Sequence, residues 1–167
     1  AQIKENDSAT MKFTIPKPFS QTIANNNHTG PVCFTPSGDT IFYTQLSERK
    51  KRIKEERHPQ LYMAIKKDGN WVDQQMLPFC DEQYSFGHPA WNYRHNELYF
   101  SSTKPGGKGG KDLYVSTFEN NEWSEPLNSE LNTEYDEMFP FVVGSDLFFA
   151  SNRPGGQGQL DIYWKLL

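Results

Sequence analysis

Residues 104–112 (Lys-Pro-Gly-Gly-Lys-Gly-Gly-Lys-Asp) look more like a chemical device than any other part of this sequence. Glycines interleaved with lysines can cradle a phosphate through backbone amides. A phosphate-binding loop, however, needs Gly-Lys followed by Ser or Thr, opening into a helix, and neither occurs here. Residues 153–161 follow the same plan, so the feature belongs to a repeat and reads as a structural turn. In such a turn the glycines supply positive φ, and Asp112 and Asp161 accept hydrogen bonds from loop amides. His28, His58, His88 and His95 show no metal-ligand spacing such as His at i and i+4 flanking Glu. Glu134, Asp136 and Glu137 carry oxygens suited to calcium, without the glycine-spaced Asp pattern of a dedicated loop. No Gly-x-Ser-x-Gly elbow is present. Asp136 and Glu137 are neighbours at a strand entry and should point to opposite faces. This argues against the close carboxylate pair that a glycosidase needs. The expectation is a chain with no catalytic residue, no metal and no cofactor.

These residues are positioned by a repeat. Tyr62 precedes Trp71 by nine residues, and Tyr114 precedes Trp123 by nine. The next such pair, Ile162-Tyr163, would place its partner beyond Leu167. Phe13, Trp71 and Trp123 stand 18, 18 and 17 residues before Pro31, Pro89 and Pro140. Each Pro opens an apolar segment (Val32-Cys33-Phe34, Ala90-Trp91, Phe141-Val142-Val143). Then comes a turn rich in Gly, Asn or Asp, which tolerate positive φ. A second segment follows (Ile41-Phe42-Tyr43, Leu98-Tyr99-Phe100, Leu147-Phe148-Phe149), and after a loop a third (Leu61-Tyr62, Leu113-Tyr114, Ile162-Tyr163). The segment with Trp71 or Trp123 ends the unit. Four short strands, a to d, in a repeat of about 50 residues are the mark of a β-propeller. The continuously apolar run Leu147-Phe148-Phe149-Ala150 fits a strand covered on both faces.

The expected fold is therefore all-β: a β-propeller of four-stranded antiparallel blades, with three repeats in one domain spanning 1–167. Residues 8–29 are a closing strand and lead-in, 30–87 repeat one, 88–138 repeat two, and 139–167 repeat three without its outer strand. Lys12-Phe13-Thr14-Ile15 would supply that strand and hide a bare edge. Three blades are fewer than the four to eight usual in propellers. The ring is expected to close as a homodimer of six blades, as part of a longer propeller, or on a partner.

Composition narrows the function. Net charge is −4, from 17 basic and 21 acidic residues, which gives no electrostatic case for nucleic acid. No apolar run approaches a membrane span. The start Ala1-Gln2 resembles a mature end left by a signal peptidase. Cys33 and Cys80 fall on strand a and after strand d, roughly 14 Å apart at ~4.8 Å per strand, too far to bridge. Residues 47–58 carry Arg49, Lys50, Lys51, Arg52, Lys54 and Arg57 against Glu48, Glu55 and Glu56, and read as a solvated excursion or an interaction loop.

The assembled motifs resemble the TolB-type propeller repeat. They are His88-Pro89, Leu98-Tyr99-Phe100, Ser151-Asn152-Arg153-Pro154-Gly155-Gly156, Asp161-Ile162-Tyr163 and Trp123-Ser124-Glu125-Pro126. Together with Asn132-Thr133, Asp136-Glu137 and Met138-Phe139-Pro140 they look like the variant found in Bacteroidetes envelope proteins. In those proteins it accompanies OmpA-like peptidoglycan-binding domains, some of them linked to type IX secretion. The resemblance runs from Gly30 onward. Repeat one departs from it, with Gln60 in place of the Asp and 48–58 in place of the glycine loop. No segment here resembles the peptidoglycan-binding domain, so that activity is not carried over.

The resemblance implies a non-catalytic module that binds a protein or peptide in the bacterial cell envelope, periplasmic or outer-membrane-associated. In a propeller the b–c and d–a loops open on one face. That face would gather Tyr84, His88, Lys104, Tyr135, Asp136, Glu137 and Arg153 as candidate ligand-binding residues. Tyr84 and Tyr135 stand five residues before Pro89 and Pro140, and they serve equally well as covers for blade junctions. The competing expectations are a carbohydrate-active lyase or glycosidase, and a self-assembling ring with no ligand.

Overall fold

The computed structural model describes residues 15–23, 27–47 and 56–167. Over these residues the protein is all-β, with three antiparallel sheets and no helix. The first sheet runs in order β1 (Thr29–Phe34), β2 (Thr40–Leu46), β3 (Pro59–Lys67), β4 (Asn70–Met76). The second runs β5 (Phe86–Asn92), β6 (Glu97–Ser102), β7 (Asp112–Glu119), β8 (Glu122–Trp123), with β9 (Leu127–Asn128) also on β7. The third has β10 (Glu137–Val143), β11 (Asp146–Ser151) and β12 (Asp161–Leu166). Each a, b and c segment of the repeat thus falls in a strand. The fourth strand of the second sheet is split where Pro126 cannot donate to a ladder. The first hairpin of each sheet turns on a left-handed residue: Gly38, Asn96 and Gly144, with φ of 70°, 52° and 63°. No strand pairs with the outer edge of β12 among the described residues. Lys12, Phe13 and Thr14 lie outside them, and Ile15 is exposed and in no strand.

The sheets stack in chain order, the second turning one face to the first sheet and the other to the third. Phe42, Leu61 and Met63 of the first sheet meet Leu98, Phe100 and Tyr114 of the second. Ala90, Tyr99 and Leu113 on the other side of the second meet Leu147, Phe149 and Tyr163 of the third. The linkers wedge into the same junctions: Leu77 and Phe79 in the first, Leu131 in the second. The free side of the first sheet, with Ile41, Tyr43, Ala64 and Trp71, is covered in the same manner by Ile23. The first strands converge, β1 and β10 both lying against β5.

All three converging strands carry a bulge where they pair with their neighbours. Thr29 and Val32 span Gln45 to Tyr43, Gly87 and Ala90 span Ser101 to Tyr99, and Met138 and Phe141 span Ala150 to Phe148. An extra residue bends the strand and re-aims a side chain. The register also corrects the alignment of repeat one. Cys33, not Val32, pairs with β2 as Ala90 pairs with β6 and Phe141 with β11, because the first bulge lies one residue earlier.

Candidate functional site

The two glycine loops are structural turns built around one aspartate. Asp112 accepts from the amides of Lys108 (2.9 Å) and Gly109, and Asp161 from those of Gln157 (2.9 Å) and Gly158 (3.0 Å). Gly106 and Gly155 have φ of 101° and 102°. A Cβ on Gly107 or Gly156 would fall 2.0 or 1.9 Å from that carboxylate. The glycines are therefore spent on an internal anion, not offered to an external phosphate.

The b–c loop of the second sheet abuts the linker entering the third. Lys111 N donates to Asp136 Oδ1 (2.9 Å), Glu137 N to Lys111 O (2.7 Å), and a Cβ on Gly109 would overlap Tyr135 O. Asp136 also lies 3.6 Å from Lys111 Nζ. Here the structure brings together Tyr135, Asp136, Glu137 and Arg153, four of the expected residues. Two of them face inward. Glu137 is 0% exposed. Its carboxylate accepts from Thr133 N (2.9 Å), Thr133 Oγ1 (2.6 Å), Ser151 Oγ (2.9 Å) and Arg153 Nη2 (3.0 Å). Arg153 also donates to Leu131 O (2.9 Å) and lies over the neighbouring Phe149 and Tyr163 rings, 5.1 and 4.9 Å from their centroids. This pair ties the linker to the third sheet. Tyr84 packs on the junction of the first two sheets. Lys104 pairs with Glu125, and its carbonyl accepts from Tyr114 Oη (2.8 Å).

His88 belongs to a different place, the groove where β1, β5 and β10 converge. It is a bulge residue with φ 57°, and Phe139 occupies the matching position of β10 with φ 54°. Both are held in a region that non-glycine residues rarely adopt. Their rings meet across the groove with centroids 4.1 Å apart. Thr44 Oγ1 accepts from His88 N (3.1 Å), and His88 Nδ1 lies 2.6 Å from Ser101 Oγ. Burial, and then the charge of Lys111, push the imidazole pKa below its ordinary value, so the ring is neutral near pH 7. The Ser101 hydroxyl is buried and also faces Gly87 O, which leaves it no approach as a nucleophile. The groove holds about 380 Å³ and is lined by Val32, Phe34, His88, Phe139, Phe141 and three prolines, Pro31, Pro89 and Pro140.

Among the described residues no group of three His, Cys, Asp or Glu is placed to hold a metal ion. Cys33 and Cys80 are free thiols whose pKa burial pushes up to about 12. The basic run lies largely outside the described residues. Arg57, at its end, donates to Ser47 O (2.8 Å) and Asn27 Oδ1 (3.0 Å). Sequence reasoning missed Phe139, Ser101 and Lys111. The one available signal was that Phe139 and His88 each directly precede the marker proline. The chain matches no protein-family model, and no curated protein matches its sequence.

Proposed function

We propose that this protein is a propeller-type repeat module that binds an apolar segment of a protein partner, without catalysing a reaction, in the groove between its converging strands. The observation that carries this reading is the groove itself. It is open and apolar, and two left-handed bulge residues are aimed into it. Strain held at a concave site by the surrounding sheet is a mark of function. The prolines remove backbone donors from its wall, so recognition rests on side-chain contact rather than on adding a strand. A neutral His88 keeps the wall uncharged, which favours aromatic and aliphatic ligand groups over acidic ones. The equal stacking of the sheets supports the propeller. The resemblance of the repeat to the TolB type supports an envelope setting, periplasmic or at the outer membrane, with type IX secretion proteins as the nearest context.

The test is calorimetric titration with peptides selected from a display library. Peptides rich in aromatic residues are expected to bind, and Phe139→Asn, which keeps the left-handed backbone accessible, should weaken them at least tenfold. Selected peptides that bind Phe139→Asn as tightly as the parent would contradict the groove as the site.

A further inference from the structure

Cross-strand rows show what the third sheet lacks. On the forward face of the first sheet, Cys33, Phe42 and Met63 are paired in one row; on the second, Ala90, Tyr99 and Val115; on the third, Phe141, Phe148 and Trp164. The residue after the loop aspartate position continues each face: Leu61, Leu113, Ile162. Leu61 and Leu113 are 0% exposed because the next sheet covers them, whereas Ile162 is 80% exposed, Phe141 61% and Trp164 60%. The third sheet therefore carries the residues of an internal junction with nothing against them among the described residues.

The rearward face of the first sheet is the complementary half. At the first internal junction, Phe42 sits against Trp91 (5.2 Å between centroids) and Trp123 (5.8 Å), which are 6.2 Å from each other. By register Phe34 is the counterpart of Trp91, since each pairs with the first core residue of the second strand, Ile41 and Leu98. Trp71 is the counterpart of Trp123 in the repeat. Phe34 and Trp71 are 5.9 Å apart, and the ring seated on both at 5.7 Å is Phe19, from the lead-in. Phe19 thus holds the place that a forward-face phenylalanine takes elsewhere, and is itself mostly exposed. Beside it an apolar recess of about 610 Å³ is lined by Phe19, Ile23, Val32, Phe34 and Ile41.

We infer that the forward face of the third sheet docks on the rearward face of the first sheet of a second copy, with Phe148 entering the Phe34–Trp71 slot now held by Phe19. The contact is head-to-tail, so one copy offers both halves. Repeated once about a two-fold axis, it closes six sheets into a ring; a heterologous contact that does not close makes filaments instead. Closure rests on the propeller reading. The association does not, and neither rests on peptide binding: Phe34 also lines the groove, but Trp164 and Phe19 do not, so their variants test the association with the groove left intact.

The experiment is light scattering during size exclusion over a wide concentration range. The parent should show twice the chain mass. Trp164→Glu and Phe34→Glu should each be monomeric, with unchanged circular dichroism, and their mixture should recover a dimer through its one intact contact. Phe19→Ser should associate at lower concentration than the parent. A parent monomeric at every concentration would overturn the inference and leave the face to a further repeat of another polypeptide. A Phe34→Glu protein that still dimerises would overturn it in favour of third sheet on third sheet. Mass that rises past two would refute the closed ring.

Discussion

Arg153 and Glu137 show how charges that stand out in a sequence can turn inward to each other in the fold. Both stand out in the sequence as charges on a loop face. Pairing depends on a strand register that places Ser151 opposite Glu137, and sixteen residues of separation hide that. A buried carboxylate stripped of its cation keeps its desolvation cost. Arg153→Ala should therefore destabilise the protein by about 3–5 kcal/mol in urea denaturation. Arg153→Met combined with Glu137→Gln should recover part of the loss. A loss of under about 1 kcal/mol for Arg153→Ala would mean the pair is not sealed. His88 sets a pH dependence. Its pKa is lower in the folded protein than the ordinary 6.5, so as pH falls below that value the unfolded chain takes up the proton first and stability drops. His88→Asn should flatten the stability profile between roughly pH 7.5 and pH 5 relative to the parent. Parallel profiles would refute a buried, neutral imidazole.

At the scale of elements the sequence was far more legible. The Leu-Tyr-to-Trp spacing and the turn residues placed the strands, and the two aspartates were expected to accept loop amides, as they do. The bulges were not legible. Nothing in Gly87-His88-Pro89 announces that His88 turns left-handed into a groove, because that follows from pairing across two strands. The first repeat slipped by one residue for the same reason. The glycine loop makes a sharp prediction. Asp112 is buried and holds two loop amides, so Asp112→Ala should cost about 1–3 kcal/mol. Gly107→Ala drives a methyl into the same carboxylate and should cost a similar amount. The double variant should fall well short of the sum, because the second change removes what the first collides with. Strict additivity in thermal or urea unfolding would separate the glycine from the aspartate.

For the whole molecule, composition and periodicity were enough to expect an all-β chain of three equal units, because a strand covered on both faces is apolar throughout. β2 is buried without a break from Ile41 to Gln45 and β6 from Leu98 to Ser102, as that pattern requires. β11 carries the same pattern, yet only Leu147, Phe149 and Ser151 are fully buried, and Phe148 and Ala150 are not. Residue type records what a face is built to meet, while exposure records what meets it within one chain, and at the third sheet the two disagree. The strand expected from residues 12–15 was one answer to the open side of β12; the rows of the sheet faces point to a larger one. A crystal structure of the protein in its solution assembly tests this most directly. It should show Phe42 seated on Trp91 and Trp123 within the chain, and Phe148 seated in the same way on Phe34 and Trp71 of a second copy. Sheets paired as a two-layer sandwich, or a third sheet left bare in solvent, would contradict it.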